Sequence, residues 1–173
     1  MYSRFFDTAP SLKTAAFLLI YFLLLGLSGM ANAQSFHGIV VRVKDGDSIV
    51  VKTASQTVEI RLYGIDSPEY GQPYGEDAKR YMNGQVLHKS VKVTPYYRDS
   101  YGRTVAMVAR GDTILNEKMI AQGLAWVYPR FCRKRVCRGW QRIEKEARAF
   151  KLGLWQDQGP TAPWQWKRQE SWR

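Results

Sequence analysis

Two short acidic motifs contain the residues of this chain whose types suit metal-assisted chemistry. Asp45-Gly46-Asp47 and Asp66-Ser67-Pro68-Glu69 each group carboxylates within a few positions. Hard divalent cations prefer carboxylate oxygens as ligands, and turns at strand ends can bring distant motifs into one cleft. Either motif alone is weak, because Asp-Gly is typical of a plain hairpin turn and Asp-Ser-Pro of a turn or a helix start.

Two arginines strengthen this interpretation, because phosphate is bound best by planar guanidinium groups. Arg61 shortly precedes the second motif, and Arg103 follows the turn-forming pair Tyr101-Gly102. Phosphodiester cleavage needs a cation near the phosphoryl oxygens, donors for the developing charge and an oriented water. Carboxylates and two arginines together supply these functions. Taken singly, either arginine is more simply explained as a solvated surface charge.

Alternating apolar residues predict the strands that carry these motifs. Ile39, Val41 and Val43 share one face of a first strand, and Asp45-Gly46 is a strong hairpin signal before a second strand at 49–52. A third strand at 56–65 places Arg61 on the face opposite its apolar residues. Further strands are predicted at 91–93 and 104–108.

Three amphipathic helices complete the prediction. They are expected at 76–87, 114–122 and 140–150, from apolar spacing, candidate caps and glycines just beyond their ends. Five strands and three flanking helices predict a mainly β protein with α elements, of the α+β class, built on a small curled barrel. The two Cys and two His show no zinc-ligand spacing.

The composition predicts one folded domain with an affinity for polyanions. The chain has 173 residues, and its 26 Lys and Arg against 15 Asp and Glu give a formal charge of +11. Such a charge favours nucleic acid or acidic membrane surfaces as partners and disfavours cationic ones. A hydrophobic fraction of 45% is enough to form a core.

Residues 1–33 have the three-part form of a secretory signal peptide. Arg4 and Lys13 precede an apolar run at 15–27, and Ala31-Asn32-Ala33 predicts cleavage after Ala33. The run is too short to span a bilayer as a helix. A secreted or periplasmic protein is therefore expected. The alternative is an uncleaved leader that tethers the protein to a membrane, which is the only membrane contact expected.

Export would place Cys132 and Cys137 in an oxidising compartment, where a disulfide is the simplest outcome. Two free buried thiols are the alternative. Basic residues crowd around these cysteines and could contact a nucleic-acid backbone, although a solvated basic surface explains them nearly as well. They are Arg130, Arg133, Lys134, Arg135, Arg138 and Arg142.

The order of these motifs resembles that of the staphylococcal-nuclease-like, or thermonuclease, family. The resemblance covers roughly residues 37–156 and includes several further segments at compatible spacing. The matching segments are Asp45-Gly46-Asp47-Ser48, residues 61–69, Tyr101-Gly102-Arg103, Asn116-Glu117, Gln122-Gly123-Leu124-Ala125 and Gly153-Leu154-Trp155.

The resemblance implies an OB-fold barrel with a Ca²⁺-dependent phosphodiesterase site for DNA and RNA. Carried over by position, Asp47 and Asp66 would bind Ca²⁺ together with the backbone carbonyl of Ser67. Asp45 would support these ligands without contacting the metal itself.

The resemblance also assigns catalytic roles. Glu69 would orient or deprotonate the attacking water, and Arg61 and Arg103 would hold the phosphate and stabilise the transition state. The expected products carry a 3′-phosphate. A noncatalytic OB-fold nucleic-acid-binding module is the alternative, and retention of all these residues argues against it.

The nuclease-like domain is predicted at 34–157. A basic tail rich in Trp and Pro follows at 158–173, and this tail is expected to be disordered.

Trp126, Tyr128 and Phe131 offer rings that could stack on bases or fill the core. Nothing in the sequence indicates an obligate protein partner, so a monomer is expected.

Overall fold

The computed structural model describes residues 34–170, except for the side chain of Glu170. These residues belong to one structural unit. The predicted leader at 1–33 lies outside the described residues. Between residues 34 and 170, no helix is long and apolar enough to span a bilayer.

Five main strands form a closed barrel. Antiparallel pairing gives the order β3-β2-β1-β5-β6, and a parallel pairing of β3 with β6 closes the sheet. This confirms the predicted α+β class with a five-stranded OB-fold barrel. The strands are β1 (Phe36–Val43), β2 (Ser48–Lys52), β3 (Thr57–Leu62), β5 (Ser90–Arg98) and β6 (Thr104–Arg110).

Within residues 34–170, three two-residue strands and five helical segments complete the fold. β4 (Ile65–Asp66) pairs with β8 (Trp126–Val127), and β7 (Thr113–Ile114) pairs antiparallel with the end of β6. The helices are α1 (Gly75–Val86), α2 (Leu115–Ala121), α3 (Val136–Ala149), a 3₁₀ helix (Gly153–Gln156) and α4 (Pro163–Glu170).

The sequence predicts three of the four α-helices among the described residues, and α4 is the one it misses. This helix lies within the segment for which the absence of a periodic apolar pattern favoured a disordered tail. Its first residue is Pro163, and proline suits the first turn of a helix because the missing N–H would have no partner there. The fold therefore includes ordered residues beyond 157.

The first strand departs from the strict alternation expected for it. The pairing of β1 with β2 shifts register between Val40 and Arg42, which marks a β-bulge. Val40 is consequently buried together with Val43, whereas Ile39 and Val41 are exposed. A bulge inserts one residue and so exchanges the two faces of a strand. The prediction that Ile39, Val41 and Val43 share one face was therefore wrong.

A buried amide ties α2 to the barrel and stabilises the loop after β3. The Asn116 side chain accepts a hydrogen bond from the Val108 backbone N–H at 3.0 Å and donates one to the Tyr63 carbonyl at 3.0 Å. Asn116 is fully buried. Since buried backbone polar groups need partners, this residue fixes the chain between β3 and β4. That segment leads directly to Asp66.

Candidate active site

The hairpin between β1 and β2 positions the carboxylates of Asp45 and Asp47. Within its turn, the Asp47 backbone N–H donates to Asp45 Oδ1 at 2.9 Å. Across the cleft, the Ser67 backbone N–H donates to Asp47 Oδ2 at 2.6 Å. Gly46 permits this approach, because a Cβ at that position would lie 2.8 Å from the Ser67 Cβ. The two acidic motifs of the sequence are thus in direct contact.

Arg61 joins the carboxylates of both motifs. Its Nη2 donates to Asp66 Oδ1 at 2.5 Å, and its Nη1 forms an ion pair with Asp47 Oδ1. The Arg61 side chain is only 13% exposed. Strand parity correctly predicts that this side chain leaves the core face of β3. The structure shows that this face is turned toward buried carboxylates.

Burial and mutual repulsion shift the protonation of these carboxyls. Burial, then the neighbouring Asp47, raises the pKa of Asp45 to about 7. The same two causes raise the pKa of Asp66 to about 6. Burial alone would raise the pKa of Asp47 too, but the Arg61 guanidinium holds it below its usual range. Asp45 and Asp66 therefore keep their protons to a higher pH than free carboxyls do, whereas Asp47 stays ionised.

Glu69 lies beside this network and has a partner that the sequence analysis did not identify. Lys167 of α4 places its Nζ 2.7 Å from Glu69 Oε1 and 3.6 Å from Asp66 Oδ1. Burial would lower the pKa of Lys167, but Asp66 and Glu69 together raise it. The Glu69 backbone N–H donates to Gln72 Oε1 at 3.0 Å. Proline at the start of α4 is the sequence signal that could have pointed to this helix.

Arg103 is close to the site in the fold but has a different partner. Its Nε donates to Asp99 Oδ2 at 2.8 Å, and its backbone N–H donates to Asp99 Oδ1 at 3.0 Å. The Arg103 guanidinium also lies 5.3 Å from the centre of the Tyr101 ring. Parallel pairing of Thr104 with Ile60 places Arg103 immediately before the start of β6, next to the strand that carries Arg61. The structure does not join it to the carboxylates.

The donor set fits a divalent cation. Asp66 Oδ2 is buried and has no hydrogen-bond partner among residues 34–170. Asp45, Asp47, Asp66 and Glu69 face Arg61 and Lys167, so the site has a formal charge of −2 once all four carboxyls are ionised. The described side chains contain no cluster of three or more metal-ligating acidic, His or Cys residues. A cation at Asp47 and Asp66 therefore needs backbone, water or substrate oxygens as well.

A disulfide joins Cys132 to Cys137, as predicted, and closes the loop that precedes α3. The Tyr63 hydroxyl accepts hydrogen bonds from the backbone N–H groups of Arg133 at 2.9 Å and Lys134 at 3.0 Å. The Lys134 ammonium lies 4.4 Å from the centre of the Tyr96 ring. This basic loop is thus fixed against the barrel.

All three aromatic residues considered for base stacking pack against other rings of the protein, and Phe131 packs edge to face against Tyr128 with 4.8 Å between ring centres. Trp126 is buried and packs edge to face against Trp155, so it belongs to the core. The Tyr128 ring stacks on Trp164 of α4 with 4.9 Å between centres. Phe131 is partly exposed, at 44%.

Comparison with known proteins agrees with this site. The family model described as staphylococcal nuclease homologue matches residues 59–157. An "uncharacterized endonuclease" of Escherichia coli is 41% identical over 135 residues, covering 78% of this chain and 86% of its own length. A "micrococcal nuclease" of Shigella flexneri is 39% identical over 142 residues, covering 77% and 81%.

A more distant similarity points the same way. An "uncharacterized endonuclease" of Haemophilus influenzae is 33% identical over 132 residues, covering 76% of this chain and 72% of its own length. The family model spans β3 to the 3₁₀ helix and therefore includes Arg61, Asp66, Glu69 and Arg103. The chain belongs to the staphylococcal nuclease family and is a hydrolytic nuclease whose substrate is nucleic acid.

Proposed function

We propose that this nuclease is a Ca²⁺-dependent phosphodiesterase that cleaves DNA and RNA with little sequence specificity. One observation carries the proposal: Arg61 bridges Asp47 and Asp66, while Glu69 stands at the edge of the same network. The groups proposed as metal ligands, as the phosphate-binding guanidinium and as the base therefore lie close together. Phosphodiester hydrolysis requires this combination.

Asp47, Asp66 and the Ser67 carbonyl are the groups proposed to hold the cation. The unpartnered Asp66 Oδ2 supports this assignment, since a buried carboxylate oxygen otherwise lacks a favourable contact. Asp45 accepts a hydrogen bond from the Asp47 backbone and so supports the ligand from behind. Bound there, Ca²⁺ would polarise a phosphoryl oxygen and offset the excess negative charge.

Glu69 is proposed to orient the attacking water or take its proton. The water oxygen then forms a bond to phosphorus, and the bond from phosphorus to the 5′ oxygen breaks. The leaving oxygen takes up a proton, which gives a 5′-hydroxyl and a 3′-phosphate. Glu69 is suited to this role because its side chain is partly exposed, at 35%, beside the buried carboxylates. General-base assistance typically contributes about 10²–10⁴-fold to a rate.

Arg61 and Arg103 are proposed to stabilise the negative charge that develops on phosphate. Arg61 has five N–H donors, and its two carboxylate partners leave others for a substrate oxygen. Arg103 is held by Asp99 just before β6 begins, which keeps its planar group oriented. Charge-assisted donors of this kind are worth most where water is excluded.

Low sequence specificity follows from contacts to the backbone of the substrate. The chain carries a formal charge of +11, and phosphate contacts give affinity without reading bases. We infer that the basic loop closed by Cys132 and Cys137 contributes such contacts. The protein is proposed to act as a monomer.

Export to the periplasm or the exterior is proposed from the leader at 1–33 and from the disulfide, because disulfides persist in oxidising compartments. Membrane contact would arise only if the leader stays attached. Sequencing the amino terminus of the protein recovered from the periplasm or medium tests cleavage. Gln34 as the first residue supports export with removal of the leader, and Met1 would contradict it.

The decisive experiment is digestion of single-stranded DNA, duplex DNA and RNA with Ca²⁺, with Mg²⁺ and with a chelator, beside a Glu69→Gln variant. We expect Ca²⁺-dependent cleavage that leaves 3′-phosphate ends and falls by about 10²–10⁴-fold in the variant. Equal cleavage with chelator would contradict metal dependence. Full activity of Glu69→Gln would contradict the role of Glu69.

A further inference from the structure

The segment after residue 157 is anchored against the loop that carries Glu69. The Gln72 side chain donates to the Thr161 carbonyl at 2.7 Å. Trp164 stacks on Tyr128 with an interplanar angle of 7°, and Ala162 is buried with Trp126 and neighbouring residues. The start of α4 therefore has a defined position. The family model ends at residue 157, so its match does not include this helix.

One turn beyond Trp164, α4 presents Lys167 to two carboxylates. Its ammonium lies 2.7 Å from Glu69 Oε1 and 3.6 Å from Asp66 Oδ1. These groups are the proposed base and a proposed metal ligand. A single side chain from outside the matched domain thus provides positive charge to both.

The side chain of Lys167 is held less tightly at the site than that of Arg61. Arg61 is 13% exposed and belongs to a strand that is paired on both sides. Lys167 is 52% exposed and lies on a flexible four-carbon stem. Half-exposed ammonium groups can turn to solvent at small cost, because water replaces their partners.

We propose that Lys167 is a resident counter-ion of the nuclease site, which competes with the divalent cation for the negative charge at Asp66, beside the proposed base Glu69, and so sets the metal affinity. The proposal rests on the proposed metal dependence. Before the metal binds, the ammonium offsets repulsion between the two carboxylates. When the metal binds, its charge makes the ammonium redundant and repels it, so Lys167 must turn away and release Glu69.

The experiment is calorimetric titration of Ca²⁺ alone into the purified protein, without substrate. A unit charge and a divalent cation about 8 Å apart in water repel each other by enough to change an affinity roughly 5-fold. We therefore expect Lys167→Met to bind Ca²⁺ about 3- to 10-fold more tightly than the wild type. Lys167→Arg should stay near the wild type, because it keeps the charge.

Lys145→Met is the matched control. Lys145 is exposed on α3, and its replacement makes the same change of net charge. We expect its Ca²⁺ affinity to equal that of the wild type. A second variant, Trp164→Ala, keeps Lys167 but removes the ring that anchors α4. It should also tighten Ca²⁺ binding, by a smaller factor than Lys167→Met.

Thermal unfolding separates the proposed role from a purely structural one. In chelator, Lys167→Met should melt below the wild type, because the carboxylates lose their counter-ion. Saturating Ca²⁺ should remove this difference in melting temperature, since ligand binding stabilises the folded state according to its affinity. Equal losses with and without Ca²⁺ would indicate a structural role and overturn the proposal.

The remaining outcomes distinguish this inference from the proposed function. Unchanged Ca²⁺ affinity in Lys167→Met, with binding present in both proteins, overturns the role of Lys167 alone. If neither protein binds Ca²⁺, Mg²⁺ or Mn²⁺, the metal dependence fails and the competition fails with it. Binding that appears only in Lys167→Met would be the strongest support.

Discussion

At the scale of single residues, Arg61 connects the two acidic motifs. Its guanidinium holds Asp47 and Asp66 at once, which an ammonium cannot do with the same planar geometry. The side chain balances these buried carboxylates, and in the proposed function it also presents donors to phosphate.

Arg61→Lys tests the need for a planar guanidinium. We expect the single-turnover rate at saturating Ca²⁺ and DNA to fall by about 10²–10³-fold, the usual loss when an oriented donor is removed. Circular dichroism should show an intact fold. Arg98→Lys, an exposed arginine on β5, is the matched control and should cleave normally. A wild-type rate in Arg61→Lys would show that charge alone suffices.

Asp45 and Asp66 give the metal-free protein a pH-dependent stability. Burial, then Asp47, raises their pKa values to about 7 and about 6, above the ordinary value of 3.8. Between pH 4 and 7 the folded protein thus retains protons that the unfolded chain releases. Stability must therefore decrease as pH rises through this window.

Asp45→Asn should flatten this dependence. The amide cannot ionise, and its oxygen can still accept the hydrogen bond from the Asp47 backbone. We expect urea unfolding in chelator to show a smaller loss of stability from pH 4.5 to 7.5 than in the wild type. The difference is at most about 4 kcal/mol, at 1.36 kcal/mol per pKa unit. Parallel pH profiles would refute the shifted Asp45 pKa.

At the scale of secondary-structure elements, local patterns predict the barrel well. The Asp45-Gly46 turn and the parity of β3 are set by neighbouring residues, so the sequence shows them directly. The bulge in β1 is different, because it depends on how β2 pairs with that strand. Helix α4 owes its position to the contacts of Trp164 and Thr161 with distant residues. Local sequence patterns therefore could not predict that Lys167 lies beside Glu69 and Asp66.

The disulfide should stabilise the basic loop. Cys132 and Cys137 are five positions apart, and closing so short a loop removes chain entropy worth about 2 kcal/mol from the unfolded state. We expect the Cys132→Ser/Cys137→Ser double variant to unfold at a lower denaturant concentration, because its free energy of unfolding falls by that amount. Wild-type protein measured with reductant is the companion sample and should match the variant. Equal stability of the variant and the oxidised wild type would contradict the entropy argument.

At the scale of the whole molecule, the formal charge of +11 determines how the nuclease approaches nucleic acid. A polyanion is attracted over distances comparable to the Debye length, and the attraction weakens as salt rises. Residues outside the catalytic site thus contribute to affinity.

Replacing Arg133, Lys134 and Arg135 by Gln tests the contribution of the basic loop. Each lost phosphate contact should reduce the slope of log affinity against log salt by about 0.9 on duplex DNA, so three contacts would reduce it by roughly 3. Fluorescence anisotropy in chelator measures binding without cleavage. The same replacement of Arg42, Lys52 and Lys92, exposed on β1, β2 and β5, is the control. An unchanged slope in the loop variant would exclude the loop from binding.

The parallel pairing of β3 with β6 also bears on behaviour in concentrated solution. Closure gives β3 a hydrogen-bonded neighbour on each side, β2 and β6, so the backbone that carries Arg61 offers no free edge. Open strand edges are templates for the addition of strands from other molecules. A closed barrel lacks this route to aggregation along its main strands. The protein should therefore remain dispersed at concentrations at which an open sheet of the same strands would associate.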